Sequence, residues 1–268
     1  MRLITWNVNR RVGQLAAQAH ALAGREPDVV ALQEVTARIW PLWRAALETI
    51  GLPHAAGSLD AAEPGREPAR RRTTGVLIAA REPLAAAPAL AVPWPETALA
   101  AQAAGVTVHT VHVPNAANGW VKPDTLAALR SGLATGSGAR VLCGDLNTPR
   151  RELPDGTVLS FARDSHGRLR PERGERWDGG ELGVVPGLRE IGFADAFRDV
   201  HGYARKEPSW TFRRIAGHGG GWRLDHVFAS AELAVEAAVY HHSWRDGDLS
   251  DHSALEADLR LRPRPAAP

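Results

Sequence analysis

Val141-Leu142-Cys143-Gly144-Asp145-Leu146-Asn147-Thr148-Pro149 runs from an apolar stretch into two polar residues and a proline. The run from Arg140 to Asp145 has the length and composition of a buried strand. A carboxylate or amide at the C-terminal end of such a strand points into the crevice where layered α/β folds bind ligands. Taken alone, Gly-Asp-Leu-Asn-Thr-Pro also describes an ordinary turn with an N-cap. Its weight therefore depends on whether the rest of the chain repeats the design.

The design recurs on both sides. Asn7 follows Leu3-Ile4-Thr5-Trp6, and Glu34 follows Val30-Ala31-Leu32-Gln33. Asp225 lies inside Arg223-Leu224-Asp225-His226-Val227-Phe228, and Asp251-His252 precede Ser253-Ala254-Leu255-Glu256. Strands are expected at Leu3–Val8, Pro27–Leu32, Gly75–Ala80, Val106–Val113, Arg223–Ser230, Leu233–Tyr240 and His252–Leu259. Helical spacing marks Val12–Gly24, the Trp40/Trp43/Leu47/Ile50 face, Asp124–Leu133 and Gly187–Phe197. Strands alternating with helices predict an α/β fold with helices outside sheet layers. The polar, Gly-rich segment 150–181 predicts a hairpin pairing Thr157–Arg163 with Arg168–Arg170. Gly217–Gly221 reads as a flexible loop. One domain is expected over residues 1–261, with a Pro-rich, disordered tail at 262–268.

Composition bounds the function without selecting it. The chain has 268 residues and a net charge of +2, which permits nucleic-acid binding but does not argue for it. The single cysteine, Cys143, excludes an internal disulfide and points to a reducing compartment, so a cytoplasmic location is expected. Nothing at the N-terminus resembles a secretion signal, and no stretch approaches the roughly 18 apolar residues of a membrane span. No membrane association and no obligate protein partner are expected, and the chain is expected to act as a monomer.

The polar residues at the strand ends suit phosphoester chemistry. Magnesium prefers hard oxygen ligands but needs only one or two protein carboxylates, because it keeps waters and substrate phosphates. Glu34 is the first candidate and Asp251 the second. Phosphodiester cleavage also needs an activated water, which an Asp orients or deprotonates, and donors to the phosphate oxygens, which a protonated His and an Asn supply. His252 needs a carboxylate to fix its tautomer, and Asp225 is available. The remaining histidines show no zinc-ligand spacing, and hard oxygen donors dominate. Arg66, Arg70, Arg71 and Arg72, and Arg10, Arg11, Arg150 and Arg151, are candidates for backbone phosphate contacts.

Five blocks in fixed order make the chain resemble the endonuclease/exonuclease/phosphatase superfamily: Ile4-Thr5-Trp6-Asn7-Val8-Asn9, Pro27 to Glu34, Val111-His112-Val113-Pro114-Asn115, Gly144-Asp145-Leu146-Asn147, and Trp222-Arg223-Leu224-Asp225-His226. Ser250-Asp251-His252-Ser253 closes the series. The resemblance implies a four-layer, DNase I-like α/β sandwich of two packed mixed β-sheets flanked by helices. It implies a magnesium cofactor, with manganese as a possible substitute, held by Glu34 with help from Asn7 and Asp251. It implies that Asp145 activates the water with Asn147 assisting, and that Asp225 and His252 form a dyad at the scissile phosphate. His112, Asn115, Arg10 and Arg150 are the further phosphate contacts expected.

Within the superfamily the chain is most similar to exonuclease III and AP endonucleases, through Gly192 to Asp199, Ser209-Trp210-Thr211-Phe212 and Gly221 to Asp225. That likeness implies DNA as partner and a Phe212/Trp222/Leu224 slot for a flipped-out abasic sugar. Three departures leave other readings open. His112 replaces a Tyr, Arg10 replaces a Gly, and the 150–181 segment has no clear counterpart in exonuclease III. The same chemistry on a lipid headgroup, inositol phosphate, nucleotide or RNA is the alternative. A catalytically inactive nucleic-acid-binding module is a third reading.

Overall fold

Alternation along the strands decides the layering. In β1 (Arg2–Asn7), Leu3 packs in one core while Ile4 and Trp6 pack in another, and all three are fully buried. A strand buried on both faces has to lie between two layers. The computed structural model describes residues 1–60, 73–213 and 219–263, and it builds two six-stranded sheets from such segments.

The first sheet contains β1, β2 (Val29–Thr36), β3 (His54–Gly57), β4 (Thr74–Ala80), β15 (Leu233–His241) and β16 (Ala254–Leu261), in the order β15-β16-β1-β2-β4-β3. The second contains β5 (Ala85–Ala86), β6 (Ala98–Ala103), β7 (Val106–His112), β8 (Arg140–Asp145), β11 (Phe193–Asp195) and β14 (Asp225–Ser230), in the order β11-β14-β8-β7-β6-β5. β1–β2 and β7–β8 are parallel, and the other pairs are antiparallel.

Three apolar cores separate four layers. Leu3, Val29, Ala31, Ile78, Val108, Val141, Cys143, Val227 and Leu255 fill the space between the sheets. Helices α1 (Leu15–Ala23) and α2 (Trp40–Thr49) cover the outer face of the first sheet through Ala19, Leu22, Trp43 and Leu47. Helix α3 (Val121–Thr135) covers the second through Leu126, Leu129 and Leu133. The four-layer sandwich expected from the motifs is the fold observed. Cys143 is a buried thiol of the central core, and burial pushes its pKa up to about 12. Among the described residues no helix is long and apolar enough to cross a membrane.

Several expectations need correction. Residues 187–197 are not one helix: a 3-10 turn at Gly187–Ile191 stops at Gly192 (φ +83°), β11 follows, and α5 (Ala196–His201) begins only where the Asp195 side chain accepts from Arg198 N. In segment 150–181 the paired strands are β9 (Arg151–Glu152) and β10 (Val158–Leu159), turning at Asp155-Gly156. The expected turn at 164–167 forms, with Asp164 N donating to Arg168 O and Arg170 N to Ala162 O around an Arg163–Leu169 bridge, but Val158–Leu159 pair with β9 instead, and residues 174–182 fold as helix α4 (Gly174–Leu182). Gly219 to Gly221 belong to a strand, β13 (Gly219–Trp222), paired with β12 (Trp210–Arg213). Arg66, Arg70, Arg71 and Arg72 lie outside the described residues, as do 264–268 of the tail. Arg262, inside the expected tail, still donates its N–H to Glu232 O.

Gly144 shows why the residue before Asp145 has no side chain. Its φ is +133°, and a Cβ there would lie 2.0 Å from Val111 O on the neighbouring parallel strand. Gly144→Ala is expected to cost about 3 kcal/mol or more, read as a lower urea midpoint at unchanged slope.

Candidate active site

Three neighbouring strands of the second sheet set the first half of the site. Asp145 ends β8, with His112 opposite it in the parallel register on β7 and Asp225 opposite it on β14. The other sheet supplies the second half at the same edge, with Asn7 from the end of β1 and Glu34 from β2. Asn7 joins them: its Nδ2 donates to Asp145 Oδ2 at 3.0 Å and to Glu34 Oε1 at 3.3 Å. His112 Nε2 stands 3.7 Å from Asp145 Oδ2 and 3.8 Å from Glu34 Oε1. His252 Nε2 is 3.8 Å from Asp145 Oδ2, and its Nδ1 hydrogen-bonds Asp225 Oδ2 at 2.8 Å. Six side chains remote in sequence thus meet around one point.

Local backbone explains how they reach it. Glu34 is the extra residue of a β-bulge, where the register with β4 skips from Gln33 to Val35, and its φ is +58°. The bulge lifts its side chain out of the strand's alternation and into the cleft. Asn147, at φ +50°, donates its backbone N–H to Asp145 Oδ1 at 2.9 Å and its Nδ2 to Val113 O at 2.8 Å. Asn tolerates this left-handed conformation better than most residues. Ser250 Oγ donates to Asn7 O at 2.6 Å and Trp6 Nε1 to His252 O at 2.9 Å, tying the His252 loop to the first strand. Asp251 accepts from Trp210 Nε1 at 3.2 Å.

Burial and neighbouring charge set the proton positions. Burial alone would push the His252 imidazole down, but Asp225, Asp145 and Asp251 outweigh it and push it up to about 10. At neutral pH His252 is therefore an imidazolium, a donor rather than a base. Burial raises the Asp145 carboxyl, Asp225 adds to the rise, and His252 and His112 oppose it. A carboxylate raised toward working pH is a better proton acceptor.

The cleft has room for about 550 Å³. Arg10, Glu34, His112, Asn115, Asp145, Asn147, Trp222, Leu224, Asp251 and His252 all line it, whereas Arg150 and Phe212 do not. Arg150 stands among Arg170, Arg173 and Arg151 and is anchored through its backbone N–H to Leu159 O. Phe212 packs behind Trp222, with ring centroids 5.0 Å apart. Asn115 uses its Oδ1 to cap a short 3-10 turn, accepting from Ala117 N at 3.1 Å.

Lining residues not singled out from the sequence include Lys122, Phe161 and Trp210. Trp210 was within reach: Trp210 and Trp222 face each other in the β12–β13 register and stack at 5.2 Å with 8° between planes. Nothing in the sequence marked Phe161.

Glu34 Oε2 is buried and makes no hydrogen bond among the described residues, although Arg10 Nε lies 2.8 Å away. Glu34, Asn7 and Asp251 offer hard oxygen atoms, the kind magnesium takes. Asp145, Asp225 and His252 also lie within 4.8 Å of one another. Two atoms of that triad are already committed to the Asp225–His252 hydrogen bond, which fits proton handling better than ligation.

The model of the endonuclease/exonuclease/phosphatase family matches residues 4–252. The chain belongs to that family. Its members are hydrolases of phosphoester bonds, and the paired histidine and carboxylates around Asp145 sit where the shared motifs converge. Comparison of the sequence with curated proteins gave no significant match. Among solved structures, an AP endonuclease from Archaeoglobus fulgidus superposes with a TM-score of 0.68 at 22% identity, covering 97% of this chain and 100% of that chain. A 3'-5' exonuclease from Neisseria meningitidis gives 0.67 at 22% identity with the same coverage. A Neisseria 3' phosphatase bound to a product DNA hairpin gives 0.68 at 22% identity, again covering 97% and 100%. At this identity the likeness establishes the shared fold.

Proposed function

We propose that the protein is a magnesium-dependent phosphodiesterase of the exonuclease III/AP endonuclease type, acting on DNA by abasic-site incision or 3′-end trimming. The observation that carries this reading is the convergence of Asn7, Glu34, His112, Asp145, Asp225 and His252 at one sheet edge. The superposed AP endonuclease and 3'-5' exonuclease, and the neighbour bound to DNA, support the choice of substrate.

Asp145 orients the attacking water and accepts its proton. His252, held as an imidazolium by Asp225, and His112 donate to phosphate oxygens, and the Asn147 amide keeps Asp145 in place. Glu34, with Asn7 and Asp251, would hold the cation, with manganese a possible substitute. Bound there, it would supply Lewis-acid stabilisation of the developing phosphate charge. Arg10 and Asn115 on the cleft wall contact the DNA backbone.

The test is a substrate panel with and without EDTA: duplex with an abasic analogue, intact duplex, single-stranded DNA, RNA and a phospholipid. Cleavage of DNA that EDTA abolishes and magnesium restores is expected. Turnover of RNA or phospholipid with DNA untouched would overturn the DNA assignment in favour of the alternative substrates. Glu34→Gln is expected to raise the magnesium concentration for half-maximal activity by roughly tenfold or more. Unchanged metal dependence in that variant would remove Glu34 from the cation site.

A further inference from the structure

The arginines of the 150–181 segment divide by partner. Arg163 pairs with Asp178, Arg168 with Asp164 and Arg176 with Asp124, whereas Arg150, Arg151, Arg170 and Arg173 form no ion pair among the described residues. Two buried carboxylates of the segment are committed elsewhere, Glu152 to Arg198 and Arg223 and Glu181 to Lys122.

Hydrogen bonds gather three of the unpaired four around one short stretch. Arg150 N donates to Leu159 O at 3.0 Å, Arg170 N to Ala162 O at 2.9 Å, and Arg173 Nη1 to Phe161 O. All three are half-buried. Arg170 Nε is buried and has no hydrogen-bond partner among the described residues. Burial pushes the Arg150 guanidinium below its ordinary value, and the charges of Arg170, Arg173 and Arg151 press it further down. Asp164 opposes them, but its oxygens already accept from His166 N, Arg168 N and Arg168 Nε.

Guanidinium groups held this close repel one another, and a buried donor without an acceptor is costly. One anion relieves both, and phosphate fits the guanidinium fork. Phe161 lines the cleft, while none of these arginines does. An anion held by them is therefore not the group that Asp145 and His252 face, but a neighbouring one. A polynucleotide offers such a neighbour at every step of its backbone.

We propose that Arg150, Arg170 and Arg173 form a second phosphate site, which grips a DNA backbone phosphate beside the cleft while the scissile phosphate sits within it. The proposal rests on the reading of the protein as a DNA phosphodiesterase and gives the 150–181 segment a part in holding the polymer rather than in the chemistry.

The test is equilibrium binding of a fluorescein-labelled duplex in EDTA, repeated over a series of KCl concentrations. Arg170→Gln is expected to weaken binding by about threefold to tenfold at low salt and to lower the slope of log Kd against log salt by about one. Arg150→Gln should act in the same way, and Arg170→Lys, which keeps the charge, should hold the wild-type slope. A small aryl phosphodiester reaches only the scissile position, so Arg170→Gln should turn it over at the wild-type kcat/KM. An unchanged slope in both glutamine variants overturns the proposal. Loss of aryl phosphodiester turnover in step with duplex binding also overturns it, since that marks a disturbed fold. A slope change with RNA but not with the duplex overturns DNA as the occupant. Wild type that binds the duplex but cleaves nothing when magnesium is added overturns the functional reading and leaves this site standing. Wild type that does not bind the duplex overturns the site.

Discussion

Asp145→Asn is expected to lower kcat on a phosphodiester substrate by about a thousandfold or more, equivalent to roughly 4 kcal/mol in the barrier. Asparagine keeps the size and the oxygen that accepts from Asn147 N, so β8 and its neighbours should stay folded. The acceptor of the water's proton is what disappears. His252→Ala removes the donor facing it, 3.8 Å away, and should cost a comparable factor. Because the two groups act on one transition state, the double variant should be little worse than the poorer single one. Steady-state kinetics with a circular-dichroism check on each variant decide the matter. Wild-type rates in either single variant would dismiss the proposed roles.

Arg223→Met is expected to have the largest effect on stability. The Arg223 guanidinium is buried and bidentate to two carboxylates, with Nη2 at 2.7 Å from Glu152 Oε1 and 2.6 Å from Asp195 Oδ2. Arg198 adds a second fork on Glu152, with Nε at 3.1 Å and Nη2 at 2.7 Å. Removing Arg223 leaves one buried carboxylate short of its partner and the other with none of its forked contact. Breaking buried pairs of this kind costs about 3–5 kcal/mol, roughly a 6–20 °C fall in Tm for a chain of this size.

The same cluster fixes a pH dependence. Burial would raise the Glu152 carboxyl, but Arg223 and Arg198 outweigh it and hold it at about 2, below the ordinary 4.5. A carboxylate depressed in the folded state contributes stability above its unfolded pKa and loses it as pH falls toward the folded one. Urea midpoints should therefore drop between pH ~4.5 and ~2 in the wild type, and by less in Glu152→Gln. Equal slopes in the two proteins would contradict this account.

How much of this was legible beforehand follows physical lines. Asn7, Glu34, Asp145, Asn147, Asp225 and His252 could be read because each stands at the end of an apolar run or beside one, and their order along the chain is distinctive. The alternation of strands and helices predicted helices outside sheet layers, and the count of four layers came from the resemblance. Strand β6 escaped notice because it is an Ala-rich run, Ala98-Leu99-Ala100-Ala101-Gln102-Ala103, with none of the β-branched or aromatic residues that mark strands. Residues 187–197 looked helical because a 3-10 turn, a short strand and a short helix follow one another at nearly helical apolar spacing. Phe161 and Lys122 could not be found from local pattern: their partners, Trp222 and Glu181, lie 61 and 59 residues away, and only the folded chain brings them together. Phe212 entered through the resemblance; Trp210, two residues before it on the same face of β12, pairs with Trp222 and lines the cleft, whereas Phe212 packs on Trp222 without lining it.

The middle of the first sheet joins strands from opposite ends of the sequence. β1 pairs with β16, Arg2 opposite Asp258 and Thr5 opposite Leu255. A chain leaving the ribosome must therefore hold β1, Trp6 and Asn7 included, without one neighbour until the roughly 250 residues between the two strands have been synthesised. Contacts so distant in sequence make closure slow and leave an apolar edge exposed in the meantime. His252 arrives with that last strand, so catalytic competence and completion of the sheet should coincide in time.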